Sequence, residues 1–187
     1  LFESNVILQY LEDRFSKMFI EPRLVLDGNY AEGRAIVNLI VRVHDIYISS
    51  PNSSQPGFSH TQGCMYLPPH VVPYWPPTRI MDAATRAAKL AEIHKHLVWL
   101  EGVFRGPYMV GETMTHADLT WFPTCVFFEF LLPFVFDWSS IFDGEHFPKL
   151  GGWFSKCLEN RVYADTRDEI RTNLENYKTR GQLDVIR

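Results

Sequence analysis

Residues 114–119 read Met114-Thr115-His116-Ala117-Asp118-Leu119, immediately ahead of a very apolar stretch that runs to Phe136. A threonine followed three positions later by an acid marks a helix start. The Thr115 oxygen is expected to accept from the Asp118 amide, and the Asp118 carboxylate to reach back to the Thr115 amide. Met114 and Leu119 stand where a hydrophobic staple needs apolar side chains. The stretch that follows, LTWFPTCVFFEFLLPFVF, has the length of a minimal membrane span. Glu129 lies inside it, however, Pro123 and Pro133 interrupt it, and its aromatics run through the middle without gathering at the ends. It reads as a helix buried at the centre of a bundle, and transmembrane insertion is not expected. Amides at the mouth of a buried helix cannot turn to water, so the role of Thr115 and Asp118 is structural.

Towards the N-terminus, a long helix is expected from about Met81 to Phe104, with Ala84, Ala87, Ala88, Ala91, Leu97, Val98, Leu100 and Phe104 supplying apolar faces. Another runs from about Tyr30 to Ser49. It carries one stripe of Ala35, Ile36, Leu39, Ile40, Val43 and Tyr47, and a second of Val37, Val41, His44 and Ile48. A helix apolar on two sides is expected to be covered on two sides, by its own bundle and by a neighbouring domain, subunit or ligand. The intervening segment, residues 49–78, holds seven of the twelve prolines and no Asp, Glu, Lys or Arg. Its aromatics argue for an ordered loop that packs on something. The opening fifteen residues, LFESNVILQYLEDRF, place Val6, Ile7, Tyr10, Leu11 and Phe15 at helical spacing behind Ser4 as N-cap, with Gln9, Glu12, Asp13 and Arg14 as the wet face. Two further helical segments follow the central one, and no run alternates long enough for a strand. The fold class is all-α.

Composition narrows the function classes. The chain has 187 residues, 46% hydrophobic and 14% aromatic, which places it among globular proteins. Net charge is −4 with the basic residues scattered, so neither a nucleic-acid stripe nor a polybasic membrane patch is present. Cys64, Cys125 and Cys157 are odd in number and far apart, a pattern of a reducing compartment and not of a disulfide framework.

Candidate chemistry is sparse. His44 and Asp45 are adjacent, and neighbours on an α-helix point about 100° apart, so they are not expected to face each other. His44 falls on the second apolar stripe and reads as a packed interfacial histidine. His94 and His96 are two apart and cannot share a metal on a helix. His60, Cys64 and His70 have no ligand spacing, and Cys64 has no cation near it in sequence. No metal site and no catalytic cysteine is expected.

Four segments in order resemble the glutathione transferase family. ESNVILQYLEDRF looks like its Glu/Gln-Ser motif and the last helix of its thioredoxin-like domain. GRAIVNLIVRVHDIYISSP is similar to the first long helix of its helical domain. YMVGETMTHADLTWFP resembles the entry to its central helix, and FPKLGGWFSKCLENR its later Phe-Pro and Trp pattern. The resemblance implies a remnant of the thioredoxin-like, glutathione-binding domain at residues 1–20 and a helical domain at 21–187. It places the thiol-activating residue upstream of Leu1. It makes Glu3 and Ser4 the part of the glutathione site that remains: a helix N-terminus favours the γ-glutamyl carboxylate, and the Glu3 carboxylate could take that group's ammonium. It also implies a pocket for a hydrophobic electrophile between the domains, for which Val41, His44, Asp45 and Ile48, with Tyr66, Tyr74 and Trp75 from the loop, are the candidate wall.

Two functions follow as expectations. One is a glutathione transferase-like enzyme that conjugates or reduces small electrophiles when full length, with a homodimer compatible. The other is a non-catalytic scaffold subunit docking on protein partners in a larger assembly, including one at an organellar membrane. The expected setting is the cytoplasm or, where an N-terminal segment is missing, an organelle lumen or stroma. The capping box is testable by itself: Thr115→Ala is expected to cost about 1–2 kcal/mol in chemical denaturation, and an unchanged midpoint would count against it.

Overall fold

The computed structural model describes residues 4–15, 18, 24, 30–49, 82–181 and 183–184. The central rod is α4, His116–Phe136, and thirteen of its residues are buried. Trp121, Phe122 and Phe128 on this helix are among the fully buried large side chains. Burying each is worth about 1.5–3 kcal/mol, so the rod is where the bundle's apolar stabilisation concentrates. Around it pack α2 (Ala31–Val43), α5 (Pro148–Leu158) and α6 (Arg161–Thr179), while α3 (Ala83–Val103) meets α5 and the end of α2. A sixth helix, α1 (Ser4–Phe15), lies against α2. Among the described residues no strand is present, and the fold is all-α.

The two prolines sit inside α4. The acid midway along the helix is paired from a neighbouring helix: Glu129 accepts Arg167 Nε at 3.0 Å and Nη2 at 2.6 Å, with Arg171 at 3.3 Å. That clasp holds the Arg167 guanidinium above its ordinary value, chiefly through the hydrogen bond. The helix is also long and apolar enough to cross a membrane by length and composition, though more than half of it is buried in the bundle. It ends at Asp137, a non-glycine residue in the left-handed region (φ 54°), after which Trp138 N donates to Leu132 O.

α2 does not stay α-helical. It passes into a single π turn, His44–Ser49, whose carbonyl at Tyr47 accepts the buried Lys89 ammonium from α3 at 2.5 Å. Lys89 also pairs with Glu92 at 3.0 Å. In the last turn of α2, the Ile40 carbonyl accepts Trp121 Nε1 from α4 at 3.1 Å.

Three expectations about helix faces need correction. α2 is covered on one side only: Val37, Val41, His44 and Ile48 are buried with Ile40 and Val43, whereas Ala35, Leu39 and Tyr47 are exposed. Apolar character on a second side does not create a neighbour, and none is found among the described residues. On α3 the alanines at 84, 87, 88 and 91 are exposed, as is Val98. The buried side is Lys89, Ile93, Leu97 and Leu100, four positions at one helical azimuth. On α1 the expectation holds in part, since Ile7 and Phe15 are half-buried and Asp13 and Arg14 exposed, but other positions depart from it. Val6, Tyr10 and Leu11 are exposed, while Asn5, Gln9 and Glu12 are half-buried. The cause is the surface they meet, because α2 and the π turn offer Asn38 and Asp45, which hydrogen-bond Gln9 and Asn5.

The junction of α3 and α5 is tied by a carboxylate. Glu101 accepts the amides of Lys149 at 2.8 Å and Leu150 at 2.9 Å, behind Pro148 in the first turn of α5. A charge acting as a cap from another helix satisfies two orphan donors at a positive dipole end. Glu101→Ala is expected to cost about 1–2 kcal/mol, with Glu101→Gln intermediate; urea denaturation of the two variants checks the order.

Candidate functional site

The best-built polar centre lies at the mouth of α4. The short loop before it closes on Tyr108 and Gly111, whose amides and carbonyls pair at 3.1 and 3.5 Å. Gly106 fits here because a Cβ would lie 2.8 Å from the Gly111 carbonyl oxygen, and Gly111 itself has φ 121°. The loop delivers the Met109 amide to Asp118 Oδ1 at 2.9 Å. The same oxygen accepts Trp153 Nε1 from α5 at 2.8 Å. Asp118 Oδ2 accepts the Thr115 amide at 2.7 Å and the Thr115 hydroxyl at 2.9 Å. The capping box is therefore present with both its arms; in addition the Thr115 hydroxyl donates to the carboxylate, and the Asp118 amide lies 3.1 Å from the Thr115 carbonyl. Met114 and Leu119 pack on the core as the staple requires.

Asp118 is completely buried. Burial pushes its carboxyl up from the ordinary value, and the bonds from Met109, Thr115 and Trp153 pull against that shift without cancelling it. The folded protein thus binds this proton more tightly than the unfolded chain. Through this group alone, stability falls as pH rises from the ordinary carboxylate range to the folded value, and is flat above it. The centre is architectural: no solvent-facing atom of it is left to act on a ligand.

The second polar centre joins α1, the π turn and α4. His44 Nε2 lies 2.8 Å from Thr124 Oγ1, and His44 Nδ1 lies 3.1 Å from Asp45 Oδ1. Asp45 Oδ2 in turn accepts Asn5 Nδ2 at 3.0 Å. The expectation that His44 and Asp45 look apart is overturned. It assumed α-helical rotation, whereas the π turn, closed by i to i+5 bonds, widens the backbone here. These contacts make one continuous chain from α1 to the core. The ring also stands edge-on to Trp121 at 5.3 Å.

Of the residues the sequence assigns to ligands, Ser4 is the first residue of α1, and Glu3, Tyr66, Tyr74 and Trp75 lie outside the described residues. Val41 lines a small cavity of about 100 Å³ with Asn5, Gln9, Asn38 and His116. His44 and Ile48 are buried in the bundle, and Asp45 is spent on His44 and Asn5. A separate cavity of about 220 Å³ opens between α2 and α3, lined by Ile36, Leu39, Trp99 and Val103.

Cys125 and Cys157 are buried free thiols whose ionisation burial pushes up, so neither is an activated nucleophile; Cys64 lies outside the described residues. His94 meets Trp138 and Phe147 edge-on, and His96 stacks on Tyr47 at 4.7 Å. The ligand atoms of Asp143, Glu145 and His146 lie within 4.8 Å of one another on an exposed loop, a grouping the histidine spacings did not signal. Trp153, Glu101 and Asn5 were missed as well, because each acts on a partner far away in sequence.

Removing the Asp118 side chain would strand four buried donors at once. Asp118→Ala is expected to cost about 3 kcal/mol or more, beyond the loss of a cap alone, and Trp153→Phe about 1 kcal/mol; guanidinium titrations of both variants test the ranking.

Comparison with known proteins agrees with this architecture. Residues 83–155 match the family model for the glutathione S-transferase C-terminal domain. The crystal structure of the beta-etherase LigF from Sphingobium sp. strain SYK-6 superposes with a TM-score of 0.64. It is 16% identical, with 90% of this chain and 74% of that chain covered, so the likeness is one of fold. No curated protein matches the sequence. The matched segment runs from α3 through most of α5, with the Thr115–Asp118 box at its centre.

Proposed function

We propose that this chain is the helical part of a glutathione transferase-like protein that, at full length, conjugates or reduces small electrophiles with glutathione. The observation that carries the reading is the seating of α1. Its polar side is hydrogen-bonded to the bundle while Val6, Leu8, Tyr10 and Leu11 face outward. A helix with that orientation suits membership of a second layer. The bond from Asn5 to Asp45 fixes its first turn, from which Glu3 and Ser4 would take the γ-glutamyl ammonium and carboxylate. In this reading the electrophile lies on the outward side of α1 and the adjoining faces of the bundle, since Val41, His44 and Ile48 are buried.

A second reading, an interaction subunit without catalysis, is favoured by the exposed apolar side chains Leu39 on α2 and Val98 on α3, 51% and 52% accessible. A protein partner or a second copy of the chain could cover them. The two readings part on ligand binding. Isothermal titration of glutathione into the protein is expected to give saturable heat, weakened roughly 10- to 100-fold by Glu3→Ala or Ser4→Ala, the worth of one charge-assisted hydrogen bond. Absence of heat would overturn the first reading, and unaltered binding in both variants would overturn the assignment of those residues.

A further inference from the structure

The seam between α1 and the bundle contains two buried polar atoms with no protein partner, Glu12 Oε2 and His116 Nε2. They belong to different elements. Glu12 shares the inner side of α1 with Asn5 and Gln9, at i, i+4 and i+7, and His116 is the first residue of α4. Between these elements lies the cavity of about 100 Å³ bordered by Asn5, Val6, Gln9, Asn38, Val41 and His116. Its volume suits about three waters, and its carboxamides supply the polar partners that buried water needs. Solvent protons thereby have a route to the imidazole.

We infer that His116, buried at this seam with its ring nitrogen unpartnered, is a proton-controlled clasp, which seats α1 on the bundle while the imidazole is neutral and releases it when the imidazole takes up a proton.

The charges around the ring set the sign. From α1 the ring feels Glu12, and Asn5 and Gln9 are neutral; from α2 it meets neutral Asn38 and Val41. On its own helix, Asp118 has both oxygens committed to Met109, Thr115 and Trp153. The Leu24 carbonyl accepts the His116 amide. Burial lowers the His116 value below the ordinary 6.5, and the Glu12 carboxylate only partly offsets it. A folded value below the unfolded one means that the docked state resists the proton. Stability carried by this ring is full above the unfolded value and is lost as pH falls through 6.5 towards the folded value. Opening the seam lets the imidazolium reach water, so acid favours the undocked helix. Glu12 moderates the response.

This inference is independent of glutathione. NMR titration of the His116 ring is expected to give a midpoint below 6.5, and Glu12→Gln to lower it further by removing the offsetting charge. Hydrogen-exchange protection of the α1 amides, normalised to those of α5, is expected to fall by up to about threefold for each half unit that pH drops below the unfolded value, until the folded value is reached. His116→Gln should abolish that pH dependence, and Glu12→Gln, which keeps the native ring, serves if His116→Gln misfolds. A midpoint at or above the ordinary value, a midpoint unmoved by Glu12→Gln, or α1 protection that tracks α5 through the titration would each overturn the clasp.

Discussion

The bundle depends on one carboxylate. Asp118 accepts four hydrogen bonds in a fully buried site, and the donors come from three places: the loop at Met109, the turn at Thr115 and the indole of Trp153 on α5. Placing an acid in the core is costly unless each oxygen is engaged. Here the engagement fixes where α4 begins, how the preceding loop closes and at what height α5 lies against the rod. Phe104 and Phe122 meet Trp153 edge-on, so the polar centre and the aromatic core share a side chain. Hydrophobic burial provides the bulk of the stability, whereas the carboxylate selects one arrangement among the many that burial alone would tolerate.

The Glu129 clasp does comparable work halfway along the same rod. Two arginines of α6 reach one carboxylate, and Arg171 and Lys178 then lie over Phe130 and Phe134. Polar contacts thus register α6 against an aromatic surface that would otherwise let it slide.

What could be read from the sequence was local. Thr115 and Asp118 announce a helix start because a capping box needs only four consecutive residues and its geometry is fixed by the backbone. Leu119 to Phe136 reads as a core rod from its length and its internal acid. The partner Trp153 lies 35 residues away from Asp118, and nothing in its own neighbourhood marks it. The faces of α1, α2 and α3 were misread for a related reason. Periodicity says which residues share a side, yet which side is covered depends on the neighbour: Asn38 and Asp45 attract the polar side of α1, and α3 buries Lys89 to reach a carbonyl. The His44–Asp45 contact escaped because the argument used a regular helix, and the backbone departs from regularity at that point. The glutathione residues depend on the family likeness, since a Glu-Ser pair at a helix start has no signature of its own.

The cap that Glu101 supplies to α5 has a bearing on how the chain acquires its structure. It joins positions 48 and 49 residues apart, and everything between them, the central rod included, becomes a closed loop. Closing so long a loop is entropically unfavourable until the segment inside has condensed. The contact therefore belongs to the late side of the folding barrier. Its strength should govern how slowly the native state comes apart more than how quickly it assembles.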